Sequence, residues 1–320
     1  MEAPKTLQEA IVYFANAENC LACMAAHRWP DGVECPTCGR KDVSYLANQK
    51  KWQCKSAHAR RQFTAKVGTI FEDSPLGLEK WLPAVWLIVT AKNGISSMEI
   101  HRALGVTQKT AWFMLHRIRK AMANGSMMKI GGGGGEVEAD ETFIGGKSRN
   151  MHISKRARMI KNAPNRGKAV VMGILERGGQ IRATVVPNLS RPILHGEVHK
   201  HVEAGTALYT DSMHSYIGLD REYLHQVVDH AVEYVNGRIH TNGLENFWSL
   251  LKRGLHGTYV SVEPYHLFRY LDEQVFRYNN RATKDNPLTD TDRFSLVLSQ
   301  VAGKRLTYAE VTGKVGQTEF

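Results

Sequence analysis

Long apolar runs are missing from this chain. The most apolar stretch, WLPAVWLIVTA at 81–91, lies between Lys80 and Lys92 and falls well short of the roughly 20 residues that cross a bilayer. A membrane partner is therefore not expected. Acids are scarce relative to bases: 31 Asp and Glu stand against 42 Lys and Arg, a net charge of +11 over 320 residues. That surplus disfavours an acidic binding surface and favours a polyanionic partner, nucleic acid before membrane. Charge alone still leaves room for a merely soluble basic protein. Cysteine is sparse and odd in number, at five, which argues against a disulfide framework and suits a reducing compartment. The opening residues, MEAPKTLQEA, lack the apolar core of a secretory signal. No internal repeat is visible, so a solenoid is not expected. The chain reads as a cytoplasmic protein.

Composition shifts divide it. Residues 1–34 read as a helical lead, 35–70 as a small cysteine-bearing module, and 77–125 as a helical domain. A glycine-rich linker follows at 126–135, where GGGGG at 131–135 has no intrinsic preference for helix or strand. Strands alternating with helices occupy 136–282, and 283–320 reads as a polar tail.

In the first module, Cys35-Pro-Thr-Cys38-Gly39 is a knuckle: two thiols on one tight turn, with glycine free to adopt a left-handed conformation. Cys54 and His58 follow. Together the four offer tetrahedral S/N ligands for one structural Zn²⁺, forming a zinc ribbon. His27 is a competing fourth ligand. Cys20 and Cys23 lie in a helical pattern without a knuckle glycine and read as core or half-exposed thiols. From 35 to 66 there are eight Lys or Arg and one acid, Asp42, so the ribbon is suited to phosphates, with Arg60 and Arg61 as candidate contacts.

Ser96 and Glu99 have the spacing of a capping box, and Gly105 is placed to stop the short helix that follows. Thr107 then caps a second helix, QKTAWFMLHRIRKAM. This is helix-turn-helix spacing, with the second helix as the major-groove reader. Gln108, Lys109, Thr110, His116, Arg117 and Lys120 are its candidate DNA contacts. An ordinary three-helix packing unit with a solvated basic face fits the same pattern, and the neighbouring basic ribbon favours DNA.

Beyond the glycines, EVEADETFIGGK (136–147) reads as a strand. KAVVMGILERGG and QIRATVVPN read as a hairpin, and ILHGEVHKHVEA as a helix. TALYTDS is a fourth strand ending at Asp211, AVEYVN (231–236) a fifth, and IHTNGLENFWSLLKRG a helix holding Glu245. The expected class is α/β: a mixed five-stranded sheet with helices, in RNase H-like order. That order brings acids at the ends of the first and fourth strands and on a late helix together. Two Mg²⁺ (or Mn²⁺) ions about 3.5–4 Å apart need such hard oxygen ligands, one to activate the attacking oxygen and one to stabilise the leaving oxygen. Asp140, Asp211 and Glu245 are the candidates. Lys252, seven residues after Glu245, shares its helix face and could meet a DNA phosphate. The competing view is that Glu136, Glu138 and Asp140 form the wet face of an edge strand. From Lys147 to Lys168 there are eight Lys or Arg and no acid. This loop reads as a DNA grip, with Lys147, Arg149, Lys155, Arg156, Arg158 and Lys161 as contacts.

The chain resembles the DDE transposases of bacterial insertion sequences that carry an N-terminal zinc ribbon and an ISXO-type catalytic domain. The resemblance is carried by RWPDGVECPTCG (28–39), RRQFTAKVGTIFEDSPL (60–76), SSMEIHRALGVTQKTAW (96–112), ADETFIGGK (139–147), YTDS (209–212), HTNGLENFWSLLKRG (240–254) and GKRLTY (303–308). It implies binding of double-stranded DNA at terminal inverted repeats, metal-dependent end cleavage, and attack of the freed 3′-OH on target DNA. It also implies a homodimer or larger assembly on DNA, acting at the bacterial nucleoid. By position Asp140 and Asp211 match the first two metal-binding aspartates, Glu245 the third acid and Lys252 the following lysine. The third position varies in the family, so Asn242 is an alternative. Asn242 and Arg253 join Lys252 as candidate DNA contacts. Two other readings compete: a DNA-binding regulator or domesticated remnant that no longer cuts, and a different nuclease on the same fold.

Overall fold

The computed structural model describes residues 3–123, 128–146, 152–154, 167–228, 240–284 and 286–314. It divides into two compact units, one of residues 1–123 and 280–320, the other of 124–279.

The first unit opens with α1 (Leu7–Phe14) and α2 (Ala17–Arg28), then a small antiparallel sheet of β1 (Val43–Leu46), β2 (Lys51–Cys54) and β3 (Gln62–Phe63). The apolar run at 81–91 lies within and just beyond α3 (Leu78–Thr90). Trp81, Leu82, Val85, Trp86 and Ile88 are all buried, as expected of a helix apolar on most sides at the centre of a bundle. The helix-turn-helix spacing holds in detail. Ser96 and Glu99 form the capping box of α4 (Ser97–Leu104), and Gly105 takes the left-handed conformation at φ 64°. Thr107 accepts from the Thr110 amide to cap α5 (Gln108–Met122).

Two expectations are corrected here. Arg117 and His116 are not surface residues of α5. Arg117 is 5% exposed and donates to the carbonyls of Leu306 at 2.9 Å and Glu72 at 2.8 Å; His116 is buried. Buried carbonyls need donors, and a guanidinium on a long stem supplies several. Arg117→Ala is expected to cost about 2 kcal/mol and to lower the melting temperature, with DNA affinity of the folded fraction unchanged. A DNA-binding loss without a stability loss would contradict this.

The second correction concerns the polar tail expected at 283–320, whose described residues 286–314 carry two helices. Its helix α9 (Asp290–Ser299), started by a Thr289–Asp292 capping box, packs on α2, α3 and α5. Phe294 meets the rings of Phe14 and Trp86, each at 5.4 Å. Phe294, Val297 and Leu298 have helical spacing and are buried; their partners lie some 200 residues or more away in sequence. A last short helix, α10 (Tyr308–Val311), follows.

The second unit is built on a five-stranded sheet. Its strands are β4 (Glu136–Ile144), β5 (Ala169–Glu176), β6 (Ile181–Val186), β7 (Ala207–Asp211) and β8 (Leu224–Val228), in spatial order β6-β5-β4-β7-β8. The first three are antiparallel neighbours, and β4, β7 and β8 are parallel. This is the RNase H-like arrangement. β4 is the central strand, which corrects the edge-strand alternative. Helix α6 (Arg191–His201) covers one face, with Val137, Ala139, Leu194 and Val198 in its core. Helices α7 (Asn242–Gly257) and α8 (Leu267–Asn279) cover the other, around Leu244, Phe247, Trp248 and Leu271.

Among the described residues the fifth strand of the sheet is Leu224–Val228; the strand expected at 231–236 lies outside the described residues. The glycine run is not a linker in this structure. Gly131 donates to Glu176 at 3.0 Å and Gly132 to Thr206 at 2.9 Å, and Gly131 to Gly134 all have positive φ. A Cβ on Gly131 would meet Thr206 at 2.5 Å. The run is a docked turn that only glycine can form.

Candidate metal centres

Among the described residues two groups of metal-ligating side chains converge, one in each unit. In the first, the ligand atoms of Cys35, Cys38, Cys54 and His58 all lie within 4.8 Å of one another. The Cys38 and Cys54 sulfurs are 3.7 Å apart, and Cys35 Sγ is 3.5 Å from His58 Nε2. A tetrahedral Zn²⁺ with ordinary bond lengths requires about 3.8 Å between two sulfurs and about 3.6 Å between sulfur and nitrogen, so the group fits the ion. His58 Nδ1 meets the Ala59 carbonyl at 2.6 Å, which fixes the ring with Nε2 toward the sulfurs. Desolvation opposes the Cys54 thiolate, yet hydrogen bonds from His58 and the Ser56 backbone outweigh it and bring that thiol down to about 6. His27 lies elsewhere, against the Cys23 carbonyl at 2.8 Å and Ser295 at 3.1 Å. Cys20 is buried and Cys23 half-buried.

The second group lies at the centre of the large sheet. Parallel pairing of β4 and β7 runs from Glu136↔Ala207 to Glu138↔Tyr209. Two residues further along each strand sit Asp140 and Asp211. Pairing ceases beyond Glu138, and side chains from both faces of β4 reach the gap. Carboxylate oxygens of Asp140, Glu141 and Asp211 thus come within 4.8 Å of one another. Trp248 Nε1 on α7 donates to Asp140 Oδ2 at 2.8 Å, and the Met213 amide donates to Asp211 Oδ1 at 3.1 Å. The Tyr216 hydroxyl donates to Glu141 Oε1. Burial, with the charges of Asp211 and Glu245 adding, raises Asp140 to about 6. Burial, with Asp140 and Asp211 adding, raises Glu141 to about 8. Glu141 Oε2 is buried without a hydrogen-bond partner among the described residues. Crowded hard oxygens, one of them orphaned, are the donor set a divalent cation requires.

Glu141 was not legible in the sequence because strand alternation assigns it to the face opposite Asp140. The DE doublet was the available signal. Glu245 is exposed on the first turn of α7, outside the group of three but within electrostatic reach of Asp140. Asn242 and Arg253 are exposed and Lys252 half-buried on the same helix. Arg60 and Arg61 are exposed on the ribbon, where Arg61 Nε also donates to the Cys54 carbonyl at 3.1 Å. Gln108 and Lys109 are exposed and Thr110 half-exposed at the start of α5. Lys147, Arg149, Lys155, Arg156, Arg158 and Lys161 lie outside the described residues.

An RNase H-like sheet with acids converging at its centre, in a chain that also carries a Cys₃His cluster, defines the DDE class of DNA-processing proteins. Residues 133–279 match the ISXO2-like transposase domain, and residues 15–60 match the transposase zinc-ribbon domain. The chain is 28% identical over 250 residues to an uncharacterized protein in transposable element ISH50 of Halobacterium salinarum, covering 72% of this chain and 81% of that protein. It is 30% identical over 106 residues to an uncharacterized transposase-like protein of Haemophilus influenzae, covering 33% of this chain and 85% of that one. The chain belongs to the zinc-ribbon-containing, ISXO2-like transposases. Among the described residues no helix is long and apolar enough to cross a membrane.

Proposed function

We propose that this protein is an active transposase that binds the terminal inverted repeats of an insertion sequence, cleaves there, and joins the freed 3′-OH to target DNA in the bacterial cytoplasm. The observation that carries the reading is the convergence of Asp140, Glu141 and Asp211 between two parallel strands. These three would hold Mg²⁺ or Mn²⁺, with Glu245 or Asn242 completing the set for a second ion. Two such ions, when bound, activate an attacking oxygen and stabilise a leaving oxygen. Trp248 orients the Asp140 carboxylate and Tyr216 orients that of Glu141. Lys252, two turns beyond Glu245, would meet a DNA phosphate. The ribbon, with one structural Zn²⁺, and the exposed start of α5 would hold duplex DNA, and two copies of the chain would pair the element ends. A precut end duplex incubated with supercoiled plasmid and Mg²⁺ tests the joining step. Covalently joined product is expected; precise end cleavage with no joining would reduce the protein to a nuclease.

The raised carboxyls give the metal-free protein a defined pH response. Asp140, near 6, and Glu141, near 8, bind protons more tightly than in the unfolded chain. Their contribution to stability is fully present below about pH 4 and is lost as pH rises through these values. The oxygens of Asp140, Glu141 and Asp211 would exchange those protons for a divalent cation, which would relieve their repulsion. Mg²⁺ is therefore expected to raise the melting temperature by several degrees at about pH 8 and by little at about pH 5.5. Equal shifts at both would contradict this.

A further inference from the structure

Glu138 has no part in the metal centre, yet it is a carboxylate 1% exposed on the central strand. Burying such a charge is costly unless it is paired and hydrogen-bonded. Its Oε1 accepts from Arg177 Nε at 2.9 Å. Its Oε2 accepts from the backbone amide of Leu244 at 3.1 Å. Leu244 is the third residue of α7, and its amide is one of those a helix cannot satisfy internally. The residue before the helix, Thr241, makes no side-chain cap. Glu138 thus does from a neighbouring strand what an N-cap side chain ordinarily does, with a negative charge at the positive end of the helix dipole.

The surroundings are shaped for this contact. A Cβ on Gly243 would lie 2.8 Å from Glu138 Oε2 and 2.4 Å from Leu175 Cδ2, so glycine is needed for helix and strand to approach. Arg177 completes a second hold. Its Nη2 donates to the His240 carbonyl at 2.6 Å, just ahead of the helix. Its Nη1 pairs with Glu136 at 3.3 Å, and its guanidinium lies 4.3 Å over the Tyr209 ring. Glu138 is two residues before Asp140 on the same strand, and Leu244 is immediately before Glu245.

We propose that Glu138, braced by Arg177, is a positioning residue that latches the first turn of α7 to β4 and so sets where Glu245 stands relative to Asp140. The latch fixes helix rotation at one end, and the Trp248–Asp140 hydrogen bond fixes it one turn later. The activity arm of the test rests on the DNA-cleaving reading of the site; the structural arm does not.

The structural arm is hydrogen–deuterium exchange of the metal-free protein. Glu138→Gln retains the shape but cannot accept from both donors. It is expected to speed exchange of the α7 first-turn amides at least tenfold while β5 and β6 remain protected. Arg177→Gln, at a partly exposed position, provides a second variant, expected to show the same local loosening to a smaller degree. The activity arm compares Glu138→Gln in the wild-type and Glu245→Gln backgrounds. In the first, kcat for end cleavage is expected to fall 10- to 100-fold with KM for DNA within about twofold. In the second, adding Glu138→Gln is expected to change kcat by less than about threefold, because residues acting through one another are not additive. Unchanged exchange in both variants, or independent multiplication of the two losses, overturns the latch. A wild-type protein that does not cut removes the functional reading and leaves the exchange result to decide the latch.

Discussion

Removal of zinc is expected to abolish specific DNA binding, with a loss of at least 100-fold in affinity. The ribbon strands are four, four and two residues long. Trp52, Cys54 and Phe63 are their buried side chains, with Trp29 packed edge-on 5.3 Å from Trp52. So small an apolar core does not hold a module of this length together, and metal–ligand bonding supplies the folding free energy instead. Cys35→Ser or chelation should therefore release residues 35–66 while the sheet of the second unit remains folded. Hydrogen–deuterium exchange and fluorescence anisotropy on end DNA would detect both effects. Intact protection and unchanged affinity in zinc-free protein would count against the ribbon as a metal-held DNA module.

Asp211→Asn is expected to reduce end cleavage by at least a thousandfold, with DNA affinity within about threefold of wild type. The substitution keeps an oxygen to accept from the Met213 amide, so the end of β7 should not move. It removes one anionic ligand from a group of three acids. Losing charge there also relieves repulsion on Asp140 and Glu141, both raised in part by Asp211. The metal-free variant should accordingly melt no lower than wild type, and Mg²⁺ should stabilise it less. Cleavage at wild-type rates by this variant would remove Asp211 from the metal centre.

Where local rules decide structure, the sequence was readable. The capping box at Ser96 and Glu99, the stop at Gly105 and the cap at Thr107 each depend on residues three or four apart. The Cys₃His cluster is two close pairs in sequence, of which Cys35 and Cys38, followed by Gly39, have the spacing of a knuckle. The first four strands of the large sheet were legible as short apolar segments, two of them joined by a Gly-Gly turn. Features that depend on distant partners were not. Arg117 reads as a basic surface residue until Leu306, 189 positions away, is brought against it. The glycine run reads as a linker until Glu176 and Thr206 supply acceptors for its amides. Phe294 reads as part of a tail until Phe14 and Trp86 surround it. The fifth strand, Leu224–Val228, exposes Leu224 and Val227 at the sheet edge and so lacks the buried alternation that marks its neighbours. Glu141 escaped because strand alternation is a rule for regular pairing, and its pairing with β7 ends at Glu138.

The most direct measurement is strand cleavage by the purified, zinc-loaded protein on end-labelled duplex carrying the gene's native flanks, with Mg²⁺, with Mn²⁺ and with neither. Nicks at one fixed position at each element end, leaving a 3′-OH and appearing only with a divalent ion, are expected if Asp140, Glu141 and Asp211 form a catalytic metal centre. Specific binding of the same duplex with every strand intact in both ions would contradict that claim and leave a DNA-binding protein on a transposase fold.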